Sequence, residues 1–195
     1  MWRGPSGRTP VWRAIRVGRV VGLAAVVYGL TVRGSLTLDS GIGRRLRQLG
    51  PMTWQIEAPR EVVFDVIAAP YLGRTPRALA HKLKVLERGE DMVLAEHFTH
   101  ASRFVTTTVE TVRFERPSAV HFRLLRGPVP HVVETFELRE TEAGTRLEYT
   151  GELGTDLWTV GQWWGGVVAR RWEATVRESL DAVKVEAERR AGLKR

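Results

Sequence analysis

"MTWQIEAPREVVFDVIAAP", residues 52–70, decides the fold. Its first part alternates, with Met52, Trp54 and Ile56 apolar and Thr53, Gln55 and Glu57 polar. That is the period of a strand with one buried face. Pro59 then opens "REVVFDVIAA", a short helix with proline at its first turn and Glu61 near the positive helix end. Pro70 is expected to end it. Thr75–Pro76 reads as an N-cap followed by proline at the first helical position, starting a second short helix through about His81.

Beyond His81 the pattern turns to strands. "KLKVLER" (82–88) and "MVLAEHFTH" (92–100) flank a Gly-Glu-Asp turn. "RFVTTTVETVRFE" (103–115) is rich in β-branched residues and stops at Pro117. "AVHFRLLR" (119–126), "HVVETFELRE" (131–140) and "TRLEYTGEL" (145–153) follow. One strand about every ten to fifteen residues suits an antiparallel meander.

The last element is a helix from about residue 157 to 190, capped by Asp156 or Thr155. At helical spacing Gly161, Trp164, Gly165, Val168, Trp172, Val176, Ser179 and Val183 share one face. Gly166, Arg170, Glu173, Arg177, Asp181, Lys184 and Glu188 share the polar one. Very large beside very small residues on the inner face permits two readings: close packing on a sheet, or a hollow with tryptophan walls. Trp163 points to the polar side, where a membrane or the N-terminal segment could cover it.

Upstream, residues 34–51 are glycine-rich, end in Gly50–Pro51 and read as a linker. Residues 1–33 form a basic arm: Arg3, Arg8, Arg13, Arg16 and Arg19 precede "VVGLAAVVYGLTV" (20–32). Thirteen uncharged residues make a helix of roughly 20 Å, short for a bilayer core of about 30 Å. Snorkelling of Arg16 and Arg19, with Trp2, Trp12 and Tyr28 at the interface, allows membrane association through residues 12–33. An amphipathic helix packed on the domain is the alternative. No small-x-small cleavage site follows the run, which argues against a cleaved signal peptide.

The charge of +8 lies entirely in this N-terminal part. Residues 1–51 hold nine arginines and one acid, Asp39, while residues 52–195 balance 21 basic against 21 acidic residues. A nucleic-acid-binding domain carries its basic stripe on the fold, so no nucleic-acid partner is expected. The chain has no cysteine. His97 and His100 are three apart on a strand and point to opposite faces, and His81, His121 and His131 have no ligand-like spacing. Neither a metal nor a cofactor is expected, and no phosphate loop, dinucleotide fingerprint or Ser-His-Asp arrangement appears.

The element order, with "IEAPREVVFDVIAAP" (56–70), "VRFERPSAVHFRL" (112–124), "AGTRLEYTGEL" (143–153) and the terminal helix, resembles the START-like helix-grip superfamily, SRPBCC. That superfamily includes polyketide cyclases and lipid-transfer proteins. The resemblance implies an α+β fold over residues 52–191. A curved seven-stranded antiparallel sheet would wrap around the long C-terminal helix, with two short helices after the first strand and an apolar cavity between sheet and helix. The ligand-lining candidates are then Phe122, Leu124, Glu134, Phe136, Tyr149, Trp164, Val168 and Trp172, with Arg126 a further inward-facing position. Glu134 and Tyr149 are the polar members and the catalytic candidates. Burial would raise the Glu134 pKa and fit it for acid–base work. The alternative is a structural ion pair of Glu134 with Arg126 or Arg123.

The expected function is binding of a hydrophobic small molecule (lipid, isoprenoid or polyketide) by a membrane-associated protein whose domain is cytoplasmic. A soluble cytoplasmic protein is the alternative location. The functional alternatives are a polyketide cyclase/dehydrase-type enzyme using the same pocket, and a protein-interaction module with a filled core.

Overall fold

The computed structural model describes residues 10–73, 81–101 and 104–192. The expected second short helix, at 75–81, falls almost wholly outside the described residues. The elements run α1 (Pro10–Val32), β1 (Arg45–Ile56), α2 (Arg60–Leu72), β2 (Leu83–Arg88), β3 (Met92–Ala101), β4 (Phe104–Glu115), β5 (Ala119–Arg126), β6 (His131–Thr141), β7 (Gly144–Thr155) and α3 (Trp158–Gly192).

The seven strands form one antiparallel sheet in the order β1-β7-β6-β5-β4-β3-β2. Every connection from β2 to β7 is to a neighbour, as the spacing of strand signals predicts. The exception is β1, which crosses to the far edge and pairs with β7. α3 packs on β1, β7 and α2 across the inner face, giving the helix-grip arrangement.

Alternation sets the inner face. Met52, Trp54 and Ile56 turn toward the core, as do Val132, Phe136 and Leu138 on β6 and Leu147, Tyr149 and Leu153 on β7. Val63, Phe64, Val66 and Ile67 of α2 close the core from one end. Burying side chains of this size contributes about 1.5–3 kcal/mol each, so the core outweighs any single polar contact in the domain.

Four expectations are corrected. The linker stops at Arg44, because β1 begins at Arg45 and takes in 45–51. Gly50 and Pro51 are accommodated by a register shift between Leu49 and Met52, with Gly50 at φ 74. Pro70 lies inside α2 rather than ending it; the last turn runs on to Leu72, and Gly73 N–H donates to the Ala69 carbonyl at 3.0 Å. On α3 the buried stripe steps by four from Val176 to Leu180, leaving Ser179 exposed.

The fourth concerns Asp156, which serves the linker rather than capping α3. Its buried carboxylate accepts from Ser40 N–H (2.7 Å), Gly41 N–H (2.8 Å) and Arg44 Nε (2.8 Å). The Arg44 guanidinium and the two backbone N–H groups hold its pKa down to about 2, against the opposing effect of burial.

The polar face of α3 also has a task. Glu173 accepts from Gly50 N–H, Asp181 from Trp54 Nε1 and Glu188 from Glu57 N–H, while Lys184 donates to the Gln55 carbonyl. These side chains seal the free edge of β1, which would otherwise offer unpaired backbone groups to another strand.

Candidate functional site

Three elements meet at Glu134. β6 brings the carboxylate in by alternation with Val132 and Phe136, β7 brings Tyr149, and α3 brings Trp172. Tyr149 Oη and Trp172 Nε1 both donate to Glu134 Oε1, at 2.6 Å and 2.7 Å. Glu134 is 7% exposed and Tyr149 wholly buried. Burial raises the Glu134 carboxyl to about 7, the negative charge of Glu110 adds to the rise, and the two donors oppose it. Burial and the neighbouring Glu134 push the Tyr149 phenol well above its ordinary range, so it stays a neutral donor. Among the described residues no arginine pairs with Glu134. Arg126 turns outward to Glu96 at 3.4 Å, because a register shift between Val109 and Glu110 rotates the end of β5.

A chain of aromatic rings leads away from this carboxylate. Tyr149 meets Phe136 (5.7 Å between centroids), Phe136 meets Phe122 (4.9 Å), and Phe122 meets Tyr71 (6.1 Å). At its far end lies a second polar group. Tyr71 Oη is 3.0 Å from His97 Nε2, and His97 Nδ1 lies 3.3 Å from Glu110 Oε2 without hydrogen-bond alignment. Thr108 Oγ1 donates to Glu110 Oε1 at 2.6 Å. Burial, then the charges of Glu110 and Glu134, raises the Tyr71 hydroxyl far above its usual range. The inner face therefore carries two carboxylates, each beside a tyrosine, on either side of the Phe122–Phe136 pair.

Of the candidates, Phe122, Glu134, Phe136, Tyr149 and Trp172 are brought together. Leu124 is buried further along β5, and Val168 is buried in the core on the same stripe of α3 as Trp172. Trp164 goes elsewhere: its Nε1 donates to the Pro128 carbonyl at 2.8 Å, and its ring meets Tyr28 of α1 edge-on at 5.9 Å. Nor do the glycines of α3 leave a hollow. A Cβ on Gly161 would lie 1.6 Å from the Asp156 carbonyl oxygen, and one on Gly165 would press on Thr155 and Leu153. Close packing explains both.

Tyr71, Thr108 and Glu110 escaped the sequence reading, and His97 entered it only as a metal-ligand candidate. Signals were present: His97 alternates with Val93 and Ala95, and Thr108 and Glu110 alternate with Val112 and Phe114. Among the described residues no cluster of His, Asp and Glu is arranged to hold a metal ion.

The sequence matches the family described as polyketide cyclase / dehydrase and lipid transport over residues 52–188. The chain belongs to that family. Solved structures agree on the fold. The ZhuI aromatase/cyclase from Streptomyces sp. R1128 superposes with a TM-score of 0.60 at 19% identity, over 75% of this chain and 95% of that one. The di-domain aromatase/cyclase StfQ of the steffimycin biosynthetic pathway gives a TM-score of 0.61 at 15% identity, over 76% of this chain and 52% of that one. BexL, the di-domain protein of the BE-7585A pathway, gives 0.53 at 18% identity, over 93% of this chain and 59% of that one. No curated protein matches in sequence. Family membership supports hydrophobic small-molecule binding or a cyclase role. The match starts at residue 52, so it does not extend to α1. No described helix is long and apolar enough to cross a membrane.

Proposed function

We propose that this domain binds a hydrophobic, oxygen-bearing small molecule, a lipid, isoprenoid or polyketide, against the aromatic interior between the inner face and α3. The observation that carries the reading is the Glu134 carboxyl, buried among aromatic rings and held by Tyr149 and Trp172. Apolar burial supplies the affinity at about 25 cal/mol per Å², before the cost of association. Glu134 and Tyr149 supply orientation. Native mass spectrometry of the full chain, followed by solvent extraction, tests this. A stoichiometric apolar species supports it; an apo mass with no thermal shift across lipids and polyketides rejects it.

A second reading, catalysis, is favoured by the Glu134 pKa of about 7 and by the second polar group. Aldol closure moves a proton from the carbon beside one carbonyl and delivers one to the oxygen of another. Loss of water from the resulting β-hydroxy ketone takes a proton from that carbon and gives one to the departing hydroxyl. Glu134 and the Tyr71–His97–Glu110 group would share these transfers. The solved aromatase/cyclases of this fold are the precedent. Turnover that survives both Glu134→Gln and Glu110→Gln would reject this role for them.

We also propose that the basic arm attaches the protein to a membrane through residues 12–33. Arginine-rich flanks and the apolar run support this. Loss of vesicle binding on removing residues 1–33 tests it.

A further inference from the structure

Apolar surface gathers at the end of the fold where α1 finishes and α3 begins. In α1 the whole run 21–26 is exposed, and Tyr28 and Leu30 are exposed beyond it. α3 opens "LWTVGQWW" (157–164), in which Leu157 and Trp158 are exposed and Val160 and Trp163 are each 69% exposed. Leu38 and Ile42 of the linker are exposed between them. Tyr28, Leu38, Leu157, Val160 and Trp164 border one cleft of about 160 Å³, so these surfaces are contiguous.

This arrangement is built rather than incidental. Among the described residues, Leu157 (φ 69) and Trp158 (φ 49) are the non-glycine positions in left-handed backbone. Bulky side chains rarely adopt that conformation, which persists only where the surroundings enforce it. Here Leu157 N–H donates to the Ile42 carbonyl and Trp158 N–H to that of Gly43. A Cβ on Gly43 would lie 2.4 Å from the Trp158 ring, so the linker is shaped to seat it.

The charges point to one partner. Helix starts favour acids, yet there is no Asp or Glu between Asp156 and Glu173, while Arg170 and Arg171 follow on the helix. Arg45 and Arg47 flank exposed Leu46 on the adjoining strand. A protein groove covers one side of a helix, whereas lipid covers all sides, which is what residues 21–26 present. Tryptophan beside arginine suits the headgroup layer of an anionic bilayer.

We infer that the start of α3 is a second membrane contact, made by the folded domain itself, with Trp158, Val160 and Trp163 seated in an anionic bilayer beside α1. This rests on the proposed attachment through the arm and adds a surface to it.

Because the chain has no cysteine, Val160→Cys carries a single environment-sensitive dye on an exposed site. Glu142→Cys, in the β6–β7 turn, serves as the control. The full chain is mixed with phosphatidylcholine vesicles with and without phosphatidylserine, some carrying brominated acyl chains. The expected result is a blue shift and bromine quenching at position 160 and not at 142, stronger with phosphatidylserine. Trp158→Ser with Trp163→Ser should weaken binding at least about tenfold, or 1.4 kcal/mol. Vesicle binding with a dye at 160 that stays in water, and no effect of the tryptophan changes, overturns this inference and leaves the arm as the tether. Absence of vesicle binding overturns both. A concentration-dependent dimer that shields position 160 in the absence of lipid assigns the surface to a second copy and overturns it as well.

Discussion

Trp172 donates its indole N–H to the Glu134 carboxylate across the gap between α3 and β6, at 2.7 Å. The helix is thus tied to the sheet by a polar bond within an aromatic interior, on the same carboxylate oxygen that accepts from Tyr149. A low-dielectric setting strengthens this bond and makes the carboxylate costly to ionise.

The first prediction follows from that cost. Glu134 titrates near 7 folded, against an ordinary value of 4.5, so the folded state holds its proton more tightly. Stability is fully present below pH 4.5, falls as pH rises toward about 7, and is level above it. The loss is on the order of 3 kcal/mol, at about 1.4 kcal/mol per pH unit of difference. Glu134→Gln, which keeps an acceptor for Tyr149 and Trp172, should flatten this slope and be the more stable protein at pH 8 in urea titrations. Parallel slopes in the two proteins would contradict the assignment.

Second, the donors and the second carboxylate should move the Glu134 pKa in opposite directions. Trp172→Phe or Tyr149→Phe removes a bond to the ionised form and should raise it. Glu110→Gln removes a like charge and should lower it. Carbon-13 NMR of the carboxyl groups reads both. Each lost donor should also cost about 1–3 kcal/mol of stability, since a buried acceptor loses a partner.

How far these residues could be read from the chain differs by element. β6 and β7 run in register without a break, so simple alternation placed Glu134 and Tyr149 correctly. On β5 the shift near Glu110 turned Arg126 outward, and no local residue pattern announces such a shift. Tyr71 was passed over because Pro70 suggested that the helix had ended. Helical periodicity placed Trp164 and Trp172 on one face, but eight residues at about 1.5 Å each separate them by about 12 Å. A single face over that length meets different neighbours, and only tertiary structure sends Trp172 to Glu134 and Trp164 to Tyr28. The charges of Glu173, Asp181, Lys184 and Glu188 looked like a solvated face because the unpaired edge they serve is far away in sequence.

Third, Asp156 anchors the linker. Its pKa is depressed to about 2 from 3.8, so its contribution is present above pH 3.8 and lost as pH falls toward 2. Asp156→Asn should cost about 1–3 kcal/mol by removing charge-assisted bonds. Residues 38–44 should become the preferred site of limited proteolysis. An unchanged cleavage pattern would count against the anchor.

Fourth, Gly161→Ala should destabilise although alanine is the better helix former. The added methyl would overlap the Asp156 carbonyl at 1.6 Å. Calorimetry should report a loss of about 2–4 kcal/mol, whereas Gly192→Ala, with open space around it, should be close to neutral.

The pairing of β1 with β7 sets an order of events at the ribosome. Arg45 lies opposite Thr155, so the first strand waits through more than a hundred residues of synthesis before its partner emerges. α3, whose side chains seal the other edge of that strand, comes later still. Contacts of such long range make a domain slow to complete. Until then an edge bearing Trp54 and Met52 stands uncovered, the kind of unpaired strand that exposes a nascent chain to aggregation during synthesis.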